Sequence, residues 1–330
     1  MGIRIKGTGS YLPEKILTNA DLEQMVDTSD EWIRTRTGIQ SRHLAAPEQA
    51  TSDLGQMAAK RALEAAGITG ADLDGIIIAS ITPDHNFPNT ASLIQHHIGA
   101  EGCFCFDLSA ACSGLLYGIE VAYCMMKTRP ERYRNVLVLG AETISRIVNW
   151  EDRNTCVLFG DGSGGVVLHN DGDENTPDFL LASDIHADGN YSMILNVPAS
   201  GSRMPATHET VDQHLHSIRM NGRDTFKLAV NAMVGSSKKV LEMAKVDAAD
   251  VRMVIPHQAN QRIIQAVAQR LEVDDERVFS NIAKVGNTSA ASIGICLDEI
   301  VRTGQAQKGD RLLLTAFGGG LTWGAMLVEL

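Results

Sequence analysis

Positive charge is scarce in this sequence of 330 residues: 29 lysines and arginines face 40 aspartates and glutamates, a net charge of −11. A surface of that sign repels a phosphate backbone, and no basic stripe interleaved with aromatics offsets it, which argues against nucleic-acid binding. An acidic partner could dock only on a local basic patch. Long apolar runs are missing as well. No segment reaches the roughly 18 uncharged apolar residues of a membrane-spanning helix, and Arg4 and Lys6 interrupt the apolar stretch at the N-terminus. The expectation is a soluble, cytoplasmic protein without a targeting segment. Cys-x-x-Cys spacing is absent too: Cys103, Cys105, Cys112, Cys124, Cys156 and Cys296 form no metal-ligand pattern with one another or with a histidine pair. Reduced thiols and no metal are expected. What remains is the composition of an ordinary globular chain, 44% hydrophobic and 21% charged, long enough for a duplicated α/β body.

Chemistry concentrates at three junctions. Cys103–Leu108 reads as a buried strand and Leu115–Lys127 as a helix, so Cys112 stands at the helix start. Free N–H groups and the macrodipole there favour a thiolate, the nucleophilic form; the plainer reading is a small buried hydrophobe. Val254–Arg262 places His257 where an apolar strand gives way to a helix, and Val285–Ser292 places Asn287 at another helix start. Taken singly, such a histidine is usually structural and such an asparagine an N-cap. Thr28-Ser29-Asp30-Glu31 matches a capping box, with Trp32 and Arg36 one turn apart behind it. That pair could hold a nucleotide, or be a core plug with a cation at the rim. Adjacent His96 and His97 should point to different helix faces and bind nothing together. The run Phe159–Gly165 lacks the ending of a P-loop and reads as a tight turn between antiparallel strands.

The chain also repeats itself. The segment Lys60 to Ile77 is echoed by Lys239 to Val254 at an offset of roughly 178 residues. Strand Val136–Gly140 then matches Leu312–Ala316, and the helix after Cys112 matches the one after Asn287. Polar, turn-forming Asn170–Pro177 divides two similar halves, 1–172 with Cys112 and 173–330 with His257 and Asn287. Each half is expected to carry a mainly parallel sheet. A pseudo-twofold relating them would set Cys112 opposite Asn287 with His257 between.

Ala111-Cys112, Pro256-His257-Gln258-Ala259-Asn260, Gly286-Asn287-Thr288-Ser289 and Phe317–Gly324 resemble the motifs of the β-ketoacyl-acyl carrier protein synthase III family. The resemblance also takes in Thr28–Ile33 and Phe159–Gly162, and so nearly the whole chain. It implies a thiolase-like α/β fold of duplicated αβαβα layers. The implied reaction is a decarboxylating Claisen condensation of a short acyl-CoA, acetyl-CoA foremost, with malonyl-acyl carrier protein through an acyl-Cys112 intermediate. Asn287 distinguishes this family from chain-elongating relatives, which use a second histidine, and from thiolases, which use a second cysteine. By the same resemblance the N–H groups of Cys112 and Gly319 form the oxyanion hole, His257 and Asn287 stabilise the enolate, and Phe317 disfavours the substrate carboxylate. Phe87 closes the acyl pocket across a homodimer. Trp32 and Arg153 bracket the adenine of CoA, Arg36 meets its phosphates, and Thr28, Gly222 and Asn260 follow the pantetheine. Arg262, Lys227 and Arg270 dock the acidic carrier protein, and no cofactor is implied beyond the CoA thioester substrate. Ser113, Arg223 and a long Ala199–His216 region depart from the family pattern, which leaves a medium-chain or aromatic primer of secondary metabolism as the alternative. Intact Cys112, His257 and Asn287 speak against an inactive paralogue that only binds partners.

Overall fold

The computed structural model describes residues 2–173 and 175–330; Met1, and Glu174 inside the expected boundary, lie outside the described residues. In the first half run β1 (Ile3–Tyr11), the ribbon strands β2 (Lys15–Thr18) and β3 (Ser41–Leu44), β4 (Gly75–Ala79), β5 (Phe104–Leu108), β6 (Asn135–Glu142) and β7 (Gly162–Asn170). Its helices are α1 (Asn19–Glu23), α2 (Asp30–Thr37), α3 (Thr51–Ala66), α4 (Thr90–His97) and α5 (Gly114–Thr128). The second half has β8 (Leu180–Ala187), the short pair β9 (Leu195–Asn196) and β10 (Arg219–Met220), β11 (Met253–Pro256), β12 (Arg311–Gly318) and β13 (Thr322–Glu329). With them go α6 (His208–Asp212), α7 (Gly222–Ala244), α8 (Gln261–Leu271), α9 (Ile282–Val285) and α10 (Ala291–Arg302).

Two sheets carry the architecture, ordered β1-β7-β6-β4-β5 and β8-β13-β12-β11. Strand for strand they match: β4 pairs parallel with β6 as β11 does with β12, while β7 and β13 pair antiparallel on both sides. The duplication is thus present in the topology, but the expectation of mainly parallel sheets is corrected to mixed ones. Side-chain alternation sorts the core into layers. On β4 and β6, Ile77, Val136 and Val138 face inward onto α5 and α10, whereas Ile76, Ile78, Leu137 and Leu139 face outward onto α3. Likewise Leu312 and Leu314 of β12 face α5 and α10, and Leu313 faces α7 and α8. The order across the molecule is helix, sheet, helix, sheet, helix. α5 and α10 share one apolar cluster with both sheets, α10 burying most of its length and α5 chiefly its first two turns; fully burying one Leu or Ile contributes roughly 1.5–3 kcal/mol.

Three local readings change. Gly160–Gly165 does not turn between antiparallel strands: it leads into β7, whose Gly164 meets Gly294 of α10 so closely that a Cβ on Gly294 would lie 2.2 Å from the Gly164 backbone. Strand β5 is an edge strand with all five residues half-buried, not a buried one. The helix after Thr28 is capped by Ser29, one residue later, which takes the extended cap conformation and whose hydroxyl accepts from Trp32 N at 3.1 Å.

Candidate active site

Cys112 sits in a single 3-10 turn, Ala111–Ser113, between β5 and α5. Its presentation is constrained from both sides. Ala111 takes a left-handed φ of 45°, which a residue with a Cβ adopts only when its surroundings hold it. Thr322 of β13 holds it: its hydroxyl donates to Ala110 O at 2.7 Å and its carbonyl accepts from the Ser113 hydroxyl at 3.0 Å. Ser113, a departure from the family pattern, therefore has a structural task. Gly318 closes against the turn, and a Cβ there would come within 2.5 Å of Cys112 N.

The other two junctions arrive from the second half. His257 follows β11, anchored by its N–H to Thr315 O at 2.7 Å, and is 1% exposed. Its Nδ1 lies 2.6 Å from the Ser292 hydroxyl of α10. With that hydroxyl donating, the ring proton sits on Nε2. Burial pushes the His257 pKa down to about 3, so the imidazole is neutral. Asn287 is gripped through its backbone, donating to Leu158 O at 2.9 Å and accepting from Gly160 N at 3.0 Å, which gives the glycine run its purpose. Its side-chain oxygen accepts from Ser289 N at 2.9 Å, leaving the NH2 as the group it can offer a ligand.

Cys112, His257, Asn287 and Phe317 together line one cavity of about 370 Å3. Phe317, 5% exposed, contributes an apolar wall. Toward solvent the same cavity is lined by Trp32, Arg36, Gly222, Asn260 and Arg262. A second cavity of about 420 Å3 also reaches Cys112, between Ser289, Gly319 and Thr322 on one side and apolar residues including Ile81, Ile147, Val197 and Ile218 on the other. Cys112 is thus shared by a cleft that leads outward and a mostly apolar chamber. The Gly319 N–H has no hydrogen-bond partner among the described residues.

Electrostatics correct one expectation. Burial pushes the Cys112 thiol up to about 12, against a lowering contact with Ser289 and reinforced by the charge of Glu142. The side chain keeps partial exposure to the cavity, where water tempers that push, yet the resting group is a thiol and not the thiolate that a helix start alone would favour. Glu142, fully buried at the end of β6, has its own carboxyl pushed up to about 7 by burial. Sequence reasoning missed it, although an acid closing the apolar run Val136–Ala141 was a readable signal. Ser292 had no comparable signal.

Around the outer cleft the Arg36 guanidinium lies 4.7 Å and that of Arg153 5.1 Å from the Trp32 ring. Arg153 also bonds Asp27 O at 2.9 Å, so the slot beside Trp32 is filled by a side chain. Thr28 is not on the cavity wall, and its hydroxyl is buried without a hydrogen-bond partner. Arg262 lies over Phe226 at the rim, Lys227 stands exposed beside it on α7, and Arg270 is two turns further along α8, donating to Asn231 at 2.6 Å. Arg223, in the first turn of α7, is exposed. Phe87 is 86% exposed and lines neither cavity of its own chain; residues 199–216 line neither as well. His96 and His97 are exposed, yet their ring centroids are 5.5 Å apart, closer than divergent faces suggest. Among the described residues no cluster of three or more His, Cys, Asp or Glu could hold a metal ion, and no helix is long and apolar enough to cross a membrane.

Comparison with known proteins gives concordant matches. Residues 106–189 match the family described as 3-oxoacyl-[acyl-carrier-protein (ACP)] synthase III, and residues 241–330 match its C-terminal counterpart. A β-ketoacyl-[acyl-carrier-protein] synthase III of Caldanaerobacter subterraneus is 54% identical over 325 residues, 98% of this chain and 97% of that one. The crystal structure of 3-oxoacyl-[acyl-carrier-protein] synthase III from Aquifex aeolicus superposes with a TM-score of 0.90 at 47% identity, covering 100% of both chains. The priming β-ketosynthase of the R1128 polyketide pathway superposes with a TM-score of 0.90 at 32% identity, covering 100% of this chain and 96% of the other.

Proposed function

Because this chain belongs to the β-ketoacyl-acyl carrier protein synthase III family, we propose that its three junction residues divide the family's condensation between them. The enzyme is an acyltransferase of the thiolase-like fold that condenses an acyl-CoA with malonyl-acyl carrier protein to initiate fatty-acid synthesis. In our reading Cys112 attacks the acyl-CoA thioester, and the N–H groups of Cys112 and Gly319 stabilise the tetrahedral oxyanion. The acyl group waits on sulfur in the chamber while CoA leaves by the cleft. Malonyl-acyl carrier protein follows the same route and loses CO2. The charge that develops on its thioester oxygen is met by His257 Nε2–H and the Asn287 amide, and Phe317 offers the departing carboxylate no favourable contact. The enolate carbon then attacks acyl-Cys112. One observation carries this reading: Cys112 borders two cavities, and His257 and Asn287, two neutral groups, line the outward one with it.

The substrate contacts belong to the same proposal. Adenine would stack on Trp32 once Arg153 swings aside to bracket it, with Arg36 on the phosphates and Gly222 and Asn260 along the pantetheine. Thr28 would contribute from behind the cleft, its unpartnered hydroxyl being the feature in favour. Arg262, Lys227 and Arg270 would receive the carrier protein. Half-buried edge strand β5 and exposed Phe87 favour a homodimer in which Phe87 of each copy bounds the chamber of the other. Six free cysteines suit a reducing cytoplasm, and the reaction as written needs no cofactor. The primer is tested by incubating the enzyme with acyl-CoAs of graded length and weighing the acyl-enzyme. Acetyl should load preferentially; preference for octanoyl or an aromatic group would transfer the enzyme to the secondary-metabolism alternative.

A further inference from the structure

We propose that Glu142, acting through the Ser289 hydroxyl, takes the thiol proton of Cys112 during acyl transfer and returns it when the condensation product leaves. The inference rests on the reading of Cys112 as acyl acceptor. A thiol that stays protonated at rest must lose its proton as it attacks, and the site holds few acceptors. His257 is a poor one: Ser292 occupies its Nδ1, and burial holds its pKa near 3. Its assigned task is also donation.

Glu142 has the opposite character. Its carboxyl forms no ion pair among the described residues and is bound only by neutral donors. Oε2 accepts from Ser80 Oγ at 3.2 Å, Ile81 N at 3.2 Å and Thr82 Oγ1 at 2.5 Å, whereas Oε1 receives only the long Ile81 N bond of 3.3 Å. One oxygen is therefore saturated and the other has capacity left. Ser289 supplies the link. It is 1% exposed, lines the chamber beside Cys112, and its hydroxyl has no hydrogen-bond partner at rest. The same hydroxyl lies near enough to favour ionisation of both Cys112 and Glu142. Its backbone is held at a left-handed φ of 50°, with Asn287 Oδ1 accepting its N–H, so the strained turn that orients Asn287 also aims the serine. Cys112 is the titratable group that faces Glu142; Ser80, Thr82, Ser289 and the Ile81 N–H are neutral. A carboxyl pushed up to about 7 is matched to accepting and releasing a proton near neutrality.

The bookkeeping closes. As the Sγ–acyl bond forms, the thiol proton passes to Ser289 Oγ and the serine's own proton to Glu142 Oε1. The acyl–sulfur bond to CoA breaks, and CoA leaves as a thiolate that takes a proton from solvent. After decarboxylation and carbon–carbon bond formation, the acyl–Sγ bond breaks and the Cys112 thiolate recovers its proton from Glu142 by the reverse path. One solvent proton is consumed per turnover, balancing the carboxylate lost as CO2.

The test is single-turnover loading of Cys112 from acetyl-CoA, followed by intact mass as a function of pH, for the wild type, Glu142→Gln and Ser289→Ala. The wild-type rate should rise through an acidic limb near the Glu142 pKa of about 7. Both variants should lose that limb and load roughly 100-fold more slowly, with the half-saturating acetyl-CoA concentration held. A variant that loads at the wild-type rate, or slows while keeping the limb, overturns the relay. Should Glu142→Gln not fold, Ser289→Ala, which leaves the three donors of the carboxyl network in place, carries the test alone. A wild type that never loads instead removes the premise that Cys112 accepts the acyl group.

Discussion

The orientation of two side chains decides the chemistry at the residue scale. Asn287 spends its oxygen on Ser289 N, and His257 spends Nδ1 on Ser292, so each presents a donor and neither presents a base. Removing one donor of this kind typically raises a barrier by about 3 kcal/mol. His257→Ala and Asn287→Ala should therefore each slow CO2 release from malonyl-acyl carrier protein by 10²- to 10³-fold while still accepting an acyl group. Cys112→Ser should accept none, as intact mass would reveal; a His257→Ala enzyme that cannot be acylated would reverse these roles. Burial also makes the site a source of pH-dependent stability. His257 falls from 6.5 to about 3 on folding, so between those values the unfolded chain binds more protons and stability drops as pH drops. Glu142 rises from 4.5 to about 7, so over that window the native chain binds more and stability drops as pH rises. The two slopes oppose each other between 4.5 and 6.5. Glu142→Gln should expose the histidine term alone, and its melting temperature should fall more steeply on acidification than that of the wild type.

At the scale of elements, the close approach of α10 to β7 is the joint that positions Asn287, and it depends on two glycines. A Cβ on Gly294 would lie 2.2 Å from Gly164 backbone atoms that cannot move without separating layers. Gly294→Ala should destabilise by about 3 kcal/mol or more, visible as a lowered denaturation midpoint. Gly235 of α7 is the contrasting case, exposed with nothing within 4 Å of its Cβ position, so Gly235→Ala should stabilise by about 0.5–1 kcal/mol. This difference marks what was readable in the sequence. The helical period of Leu115–Lys127 and the apolar run of Val136–Gly140 have local causes, and both elements lie where expected. Strands β2 and β3 do not: with four residues each and charges inside, they exist because each pairs with the other. The cap at Ser29, the Ser292 bond to His257 and the carboxyl of Glu142 depend on conformation or on contacts across the fold, which spacing along the chain does not encode. The three junction residues were legible because the repeat relates Cys112 to Asn287 before any contact is known.

For the whole molecule, the open physical question is how an enzyme of net charge −11 receives an acidic carrier protein. Range settles it. At about 0.1 M salt the Debye length is roughly 10 Å, so charges spread over the body are largely screened from a docking partner while groups in contact are not. A few cations at the cleft rim can then outweigh the excess of acids elsewhere. Among these Arg262 should matter most, since it borders the cavity proposed to receive the pantetheine and lies over Phe226, which fixes its position. Arg270 already donates to Asn231 and lies further along α8, so its pull on a carrier is weaker. Raising salt toward 1 M, where the screening length is about 3 Å, should increase the half-saturating concentration of malonyl-acyl carrier protein. Arg262→Ala should produce a larger increase than Arg270→Ala at low salt, and the gap between them should narrow as salt rises. Steady-state titration with the carrier-bound donor measures this directly. Equal effects of the two substitutions, or a gap indifferent to salt, would show that docking uses another face of the molecule.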